Sequence, residues 1–257
     1  MSRVRLLWDD GDESLPEHHY LLEAVPGVGN VGKLVLDTLV NTHPSRTVLR
    51  ILHPDLPPHA TLNDAGLLEP PCMTVSAVDL PSGETVLVLT ANFQPLSPAG
   101  QYEVATAVLE LCSDAGTGLL LILAGLAAEV GQESVYLVCS SAADKEAMEA
   151  RGLEVSSEHP SAGIIGLTGL LASLAPIHEI PSACVVAETA GTSVDVVAGD
   201  RLAKWIEESL DLRLGLEIDS TESTAEKLRE FFELDEIAEI DIGLGNSVEG
   251  DSEAFYA

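Results

Sequence analysis

The chain's densest cluster of chemically suggestive residues is Pro26-Gly27-Val28-Gly29-Asn30-Val31-Gly32-Lys33. Gly27-x-Gly29-x-x-Gly32 satisfies the dinucleotide-binding fingerprint, in which glycines let the backbone approach a pyrophosphate at a helix N-terminus. The same residues nearly satisfy the P-loop. Lys33 follows Gly32 at the right spacing, but Leu34 stands where Ser or Thr would hold magnesium, which argues against nucleotide hydrolysis. A dinucleotide also needs an acid at the end of the next strand to take its ribose hydroxyls. Asp55 comes late for that role, among the prolines of His53-Pro54-Asp55-Leu56-Pro57-Pro58-His59. The plainer reading of these glycines is a close strand-to-helix turn, with a subunit contact as one use for it.

Other reactive side chains are scattered. His18, His19, His53 and His59 share no helix or tight turn, so solvated loop histidines are a better reading than metal ligands. Cys72, Cys112, Cys139 and Cys184 form no Cys-x-x-Cys pair and read as reduced residues of an apolar core. Asn92 and Gln94 lie in a polar loop after an apolar strand, as do Glu188 and Asp195 later. In open α/β sheets ligands bind beyond the strand C-termini. Pro26, Gly27, Gly29, Gly32, Asn92, Gln94, Glu188 and Asp195 are therefore the candidate pocket, or equally a place where a subunit docks. No nucleophile stands beside a base there, and only Lys33 could hold a phosphate. A phosphorylase-like enzyme using this pocket is the alternative reading of the chain.

The elements that must position these residues follow from pattern. Val4 to Trp8 is a short strand and Asp9 to Pro16 an acidic loop. A strand from His18 to Val25 enters the glycine turn, and a helix leaves it over 29–40, ending before Pro44. Thr47 to Leu52 is a strand. Met73 to Asp79 and Thr85 to Thr90 flank Pro81-Ser82-Gly83-Glu84, a hairpin signal. Ser97 caps a helix with Pro98 in its first turn. That helix runs to about Asp114 and buries Tyr102, Ala105, Val108, Leu109 and Cys112. Gly118 to Ala124 is an apolar central strand that Gly125 breaks. Val135 to Cys139 is a strand, 142–151 a helix capped by Gly152, and 153–155 a short strand. Ile164 to Leu174 is a helix whose three-apart glycines, Gly163, Gly166 and Gly169, suit tight packing. Ala183 to Glu188 is a buried strand, and 200–210 is a helix burying Leu202, Trp205, Ile206 and Leu210. Strands alternating with helices at this spacing predict a three-layer, doubly wound α/β domain with some antiparallel strands.

The chain has 257 residues, 46% of them hydrophobic and only 4% aromatic, so its core is built from Val, Leu, Ile and Ala. No apolar run reaches the roughly 18–20 residues of a membrane span. The N-terminus turns acidic at once and is unlike a signal peptide, which predicts a cytoplasmic protein. Forty-two acids face twelve bases, for a formal charge of −30. Such a surface repels itself at low salt, whereas at molar salt the Debye length falls to about 3 Å. The acids spread along the whole chain, which favours adaptation to a salty cytoplasm over a single acidic docking face. A melting temperature that stays flat between low and molar KCl would contradict that. Without a basic patch, nucleic acid is excluded as a partner.

From Ser220 the character changes. Ser223-x-x-Glu226 is a capping box, and Leu228, Phe231 and Phe232 mark an amphipathic helix. From Gly243 the chain is small, polar and acidic, a composition that predicts disorder, and it ends Phe255-Tyr256-Ala257. Three parts are therefore expected: an α/β domain over 1–218, a helical segment over 219–242 and a tail over 243–257.

Taken together, several motifs resemble the proteasome-assembly chaperone family in its archaeal form. They are Pro26 to Gly32, Asn92-Phe93-Gln94, Gly100-Gln101-Tyr102, Ser161-Ala162-Gly163-Ile164-Ile165-Gly166-Leu167-Thr168-Gly169-Leu170-Leu171, and Glu188-Thr189 with Asp195. The similarity runs from about Arg3 to Phe232. It implies a three-layer, nucleoside-phosphorylase-like fold with no catalytic centre and no cofactor, and homo-oligomers in the range of trimer to pentamer. It also gives weight to the last three residues. Proteasome activators and some assembly chaperones end in a hydrophobic residue, tyrosine and any residue (HbYX). Phe255-Tyr256-Ala257 fits that pattern. The resemblance thus implies docking on proteasome α subunits through Phe255, Tyr256 and the Ala257 carboxylate, on a tail reaching roughly 20 Å.

Overall fold

The computed structural model describes residues 3–218 apart from 10, 12, 64, 158–162 and 192. The helical segment and tail expected beyond Ile218, with Phe255, Tyr256 and Ala257, lie outside the described residues.

Among the described residues ten strands form: β1 (Arg5–Trp8), β2 (Tyr20–Ala24), β3 (Ser45–Leu52), β4 (Thr61–Leu62), β5 (Leu68–Glu69), β6 (Met73–Asp79), β7 (Thr85–Ala91), β8 (Leu119–Ala127), β9 (Val135–Val138) and β10 (Ser182–Thr189). Five α-helices among the same residues connect them: α1 (Val31–Thr42), α2 (Pro98–Ala115), α3 (Ala142–Ala150), α4 (Gly166–Leu174) and α5 (Val196–Leu210). Eight strands make one mixed sheet in the order β1-β3-β6-β7-β2-β8-β10-β9, and β4 and β5 form a separate small pair. The inner strands β7, β2, β8 and β10 are parallel. β1, β3 and β6 extend one side antiparallel, and β9 closes the other side antiparallel.

The parallel strands are continuous apolar runs because both their faces are covered. Leu22, Ala24, Leu121, Leu123, Val185 and Ala187 face one core with α1 and α5. Leu21, Val25, Leu120, Ile122, Cys184 and Val186 face the other with α2 and α4. The result is the three-layer α/β arrangement that the alternation predicts. All four cysteines are free, with Cys112 and Cys184 buried. Desolvation pushes the Cys112 thiol up to about 11, leaving it inert as a nucleophile. Among the described residues, no helix is long and apolar enough to cross a membrane.

Several expectations need correction. β8 does not break at Gly125 but runs on to Ala127, since this glycine marks a close approach rather than an end. Residues 153–155 are not a strand. Leu153 and Val155 pack on the first core, the Leu153 N–H donates to the Met148 carbonyl at 3.2 Å, and the Ser156 N–H donates to the Leu137 carbonyl at 2.8 Å. Tyr102 is 53% exposed. The buried side of α2 starts at Gly100, packed on Asp55, and Tyr102 lies about 200° round the helix from it. α4 starts at Gly166, not Ile164, because Gly166 has φ +81 and faces Gln94 rather than another helix. α5 starts four residues early, at Val196 instead of Asp200. The glycine turn includes a short 3-10 turn over Val28–Asn30, and α1 begins only at Val31. Trp205 is only half-buried.

Candidate functional site

The C-terminal ends of β7, β2, β8 and β10 lie side by side, and the loops leaving β7, β2 and β10 carry most of the candidate residues. The glycine turn leaves β2. Gly29 and Gly32 are required by close approach, and each approach is to the chain's own backbone or side chains. A Cβ on Gly32 would stand 2.5 Å from the Leu123 carbonyl oxygen of β8, so α1 lies directly against that strand. A Cβ on Gly125 would stand 2.0 Å from the Val28 carbonyl oxygen, closing the same contact from the other side. Gly29 has φ +63, and a Cβ there would stand 2.6 Å from the Thr189 hydroxyl.

Polar side chains then tie the loops together. Gln94 donates from Nε2 to the Pro26 carbonyl at 2.7 Å and accepts at Oε1 from the Leu167 N–H at 3.1 Å. One amide thus joins the loop after β7, the glycine turn and the first turn of α4. Asn30 accepts from the Gly27 N–H at 3.2 Å and donates to the Ser193 carbonyl at 2.9 Å. The Asp195 N–H donates to the Gly29 carbonyl at 2.9 Å. The Asp195 carboxylate caps α5, accepting from the Ala198 N–H at 3.0 Å, and takes the Thr189 hydroxyl at 2.7 Å.

A hydroxyl beside a carboxylate has the form of a nucleophile and its base. Here the Thr189 oxygen is buried, also accepts from the Gly191 N–H at 3.2 Å, and faces Gly29. The carboxylate's other oxygen is occupied by the helix cap. The pair therefore works as a latch between β10, α5 and the glycine turn.

Pro26, Gly27, Gly29, Gln94 and Asp195 are brought together. Asn92 is near in sequence but stands exposed on the rim. Gly32 turns into the α1–β8 contact. Glu188 points elsewhere: its carboxylate accepts from the Ser134 N–H at 2.7 Å and the Tyr136 hydroxyl at 2.9 Å, fixing β9 to the sheet edge. Lys33 is buried and ion-paired with Asp37 at 2.5 Å, so it is not presented to a phosphate over the turn. Asp55 holds the start of α2, accepting from the Ser97 N–H at 2.6 Å and hydroxyl at 2.7 Å. Those bonds hold the Asp55 carboxyl below its ordinary range.

The histidines take different partners, and His53 is buried rather than solvated. His18 bridges the Pro16 carbonyl and the Thr117 hydroxyl, while His59 leans on Phe93. His53 Nδ1 accepts from the Asp55 N–H, so its Nε2 donates to Glu103 at 3.1 Å. Arg3, and secondly His53, hold the Glu103 carboxyl down at about 2.

Glu23 is a residue that pattern reading passed over. It sits on β2, fully buried, level with Ile122 on β8 and Cys184 on β10 and beneath α4. One carboxyl oxygen takes the Thr168 hydroxyl at 3.4 Å, and the other has no hydrogen-bond partner among the described residues. Burial pushes this carboxyl up to about 8, so it is neutral at neutral pH. A single acid inside the apolar run Tyr20–Val25 was the signal for it.

Comparisons with known proteins fit this fold. The chain is 26% identical over 217 residues to an uncharacterized protein of Methanocaldococcus jannaschii, covering 84% of this chain and 83% of that one. In structure it is similar to Pyrococcus furiosus PbaA, described as an archaeal homolog of proteasome-assembly chaperone. That match has a TM-score of 0.68 and 20% identity over 92% of this chain and 99% of the other. It is also similar to P. furiosus PbaB, described as an archaeal proteasome activator, with a TM-score of 0.70 and 19% identity over 93% and 100% of the two chains. The model of the PAC2 family matches residues 21–235, most of the length, and the chain belongs to that family.

Proposed function

We propose that this protein is a non-enzymatic proteasome-assembly chaperone or adaptor of the cytoplasm that docks on the α ring through its C-terminus. The observation that carries this reading is the family match over residues 21–235 in a chain that ends Phe255-Tyr256-Ala257. The rim geometry supports it from another direction. Pro26, Gly27, Gly29, Gln94 and Asp195 are engaged with one another or with neighbouring loops, as expected of a scaffold.

In this reading Phe255 and Tyr256 fill an apolar pocket between ring subunits, and the Ala257 carboxylate pairs with a basic group there. One such tail binds weakly. Several tails on a homo-oligomer of three to five copies bind tightly through effective concentration. The α/β body sets the spacing of the tails.

A pull-down of proteasome α subunits in molar KCl tests this, using the intact chain and a chain lacking residues 255–257. The intact chain is expected to capture α subunits, and the shortened chain to lose them while melting at the same temperature. Equal capture by both would overturn the role of the tail.

A further inference from the structure

β1 is the last strand on its side of the sheet, and among the described residues no strand lies beyond it. Arg5, Leu6 and Leu7 are exposed, the leucines by 36% and 47%. Edge strands of this kind are usually blunted by proline, lysine or a bulge. Arg5-Leu6-Leu7-Trp8 has no proline, lysine or bulge and pairs with β3 in unbroken register; its protection is limited to its four-residue length and the charge of Arg5. It carries Arg3 and Arg5 at one end and Asp9 just past the other.

We propose that this edge is a self-pairing interface, on which a second copy of the chain lays its own β1 antiparallel. The backbone fixes the register. The Asp9 N–H donates inward to the Val48 carbonyl, so alternate residues back from Asp9 face β3, and Leu6 and Trp8 turn their backbone groups outward. Outward residues must meet outward residues, which allows Leu6 to exchange hydrogen bonds with the partner's Trp8. Leu7 then lies opposite the partner's Leu7 across the two-fold axis, at a non-hydrogen-bonded position where Cα atoms approach to about 4.5 Å.

In that register Arg5 lies opposite the partner's Asp9, and Asp9 opposite the partner's Arg5. Arg5, Leu7 and Asp9 share one face of the sheet, so cross-strand contact is direct. Asp9 already holds Arg50 at 2.5 Å on that face. The pairing adds a second guanidinium to each carboxylate. On the opposite face Leu6 meets the partner's Trp8, apolar against apolar.

A basic start and an acidic end make the strand complementary to its own reverse, and this selects a second copy over other occupants. An acidic peptide would satisfy Arg5 but set its charge against Asp9. The contact is isologous. It therefore adds a two-fold axis to whatever closed assembly the body forms, and it goes beyond the tail reading without depending on it. Copies that each carry −30 associate poorly unless salt screens them.

The test is the mass of the full chain in molar KCl, measured by light scattering and sedimentation. Leu6→Pro removes one outward N–H from an edge position where proline is tolerated. Its mass is expected to be half that of the wild type, with an unchanged melting temperature. Leu7→Cys should form a covalent dimer under mild oxidation, because the two thiols would face each other across the axis. Leu62→Cys, on the exposed β4–β5 pair, should not. An unchanged mass for a folded Leu6→Pro chain, a wild type with the mass of a single chain, or equal cross-linking at the two introduced cysteines would each overturn the proposal.

Discussion

Around the glycine turn, polar groups are turned inward and matched within the chain. Gln94 serves two loops, Asn30 two backbones, and Asp195 a helix cap and a hydroxyl at once. On β1 the reverse holds. Two leucines and an arginine stand in solvent on an edge whose outward backbone groups no other strand takes up among the described residues. The region that looks most like a ligand site has Gln94, Asn30 and Asp195 engaged within the chain, whereas a four-residue strand with no motif is the better candidate surface. Residue types that suit a ligand suit a tight internal joint equally well. Only the geometry of their partners separates the two.

The largest effect should come from breaking the joint itself. Gly125→Ala places a Cβ on the Val28 carbonyl and forces β8 and the glycine turn apart, with an expected loss of about 3 kcal/mol in denaturant unfolding. A loss near zero would show that the turn has room for an occupant.

The buried acid behind the joint comes next. The Glu23 carboxyl is held up at about 8 in the folded chain against an ordinary value near 4.5, so the native state binds the extra proton. Its stabilising share is complete below about pH 4.5 and is lost as pH rises to about 8, at up to about 1.4 kcal/mol per pH unit. Glu23→Gln cannot ionise. Unfolding of both chains across this range should show the variant gaining on the wild type as pH rises, then running parallel above pH 8. A pH-independent difference would contradict the burial argument.

Asp195→Ala removes the cap of α5 and the partner of Thr189, with an expected cost of about 1–2 kcal/mol. Asp195→Asn keeps a capping oxygen and should recover most of it. At the other region, Leu6→Pro should cost almost nothing in melting temperature while halving the assembly mass. Stability is thus lost at the rim and assembly at the edge.

Much of the rim was legible in the chain. The switch from a continuous apolar run to spacings of three and four marks the strand, turn and helix at Gly27 to Gly32, and the loops with Gln94 and Asp195 follow apolar strands. What each residue touches was not legible. Gly125 gives the same signal for a strand end as for a close approach. Leu153-Glu154-Val155 alternates like a strand, but the Leu153 N–H is spent on the Met148 carbonyl at the end of α3, and the chain reaches β9 only at Ser156. Tyr102 falls on the outer side because α2 meets the body through Gly100, a contact with Asp55 that spacing within the helix does not encode. Glu188 is near Asp195 in sequence, yet its partners come from the loop into β9 and from β9 itself, 52 and 54 residues away. The small β4–β5 pair has two residues in each strand, too few for any period to register.

The most direct test of the central claim, a closed body that acts through its C-terminus, is saturation binding of purified proteasome α rings in molar KCl. The intact chain and Tyr256→Ala would be compared, with melting temperatures measured alongside. A loss of affinity of at least about tenfold with unchanged melting is the predicted result, as expected for removal of an anchoring aromatic side chain. Equal affinity of the two chains would contradict the account and return attention to the folded body as the binding surface.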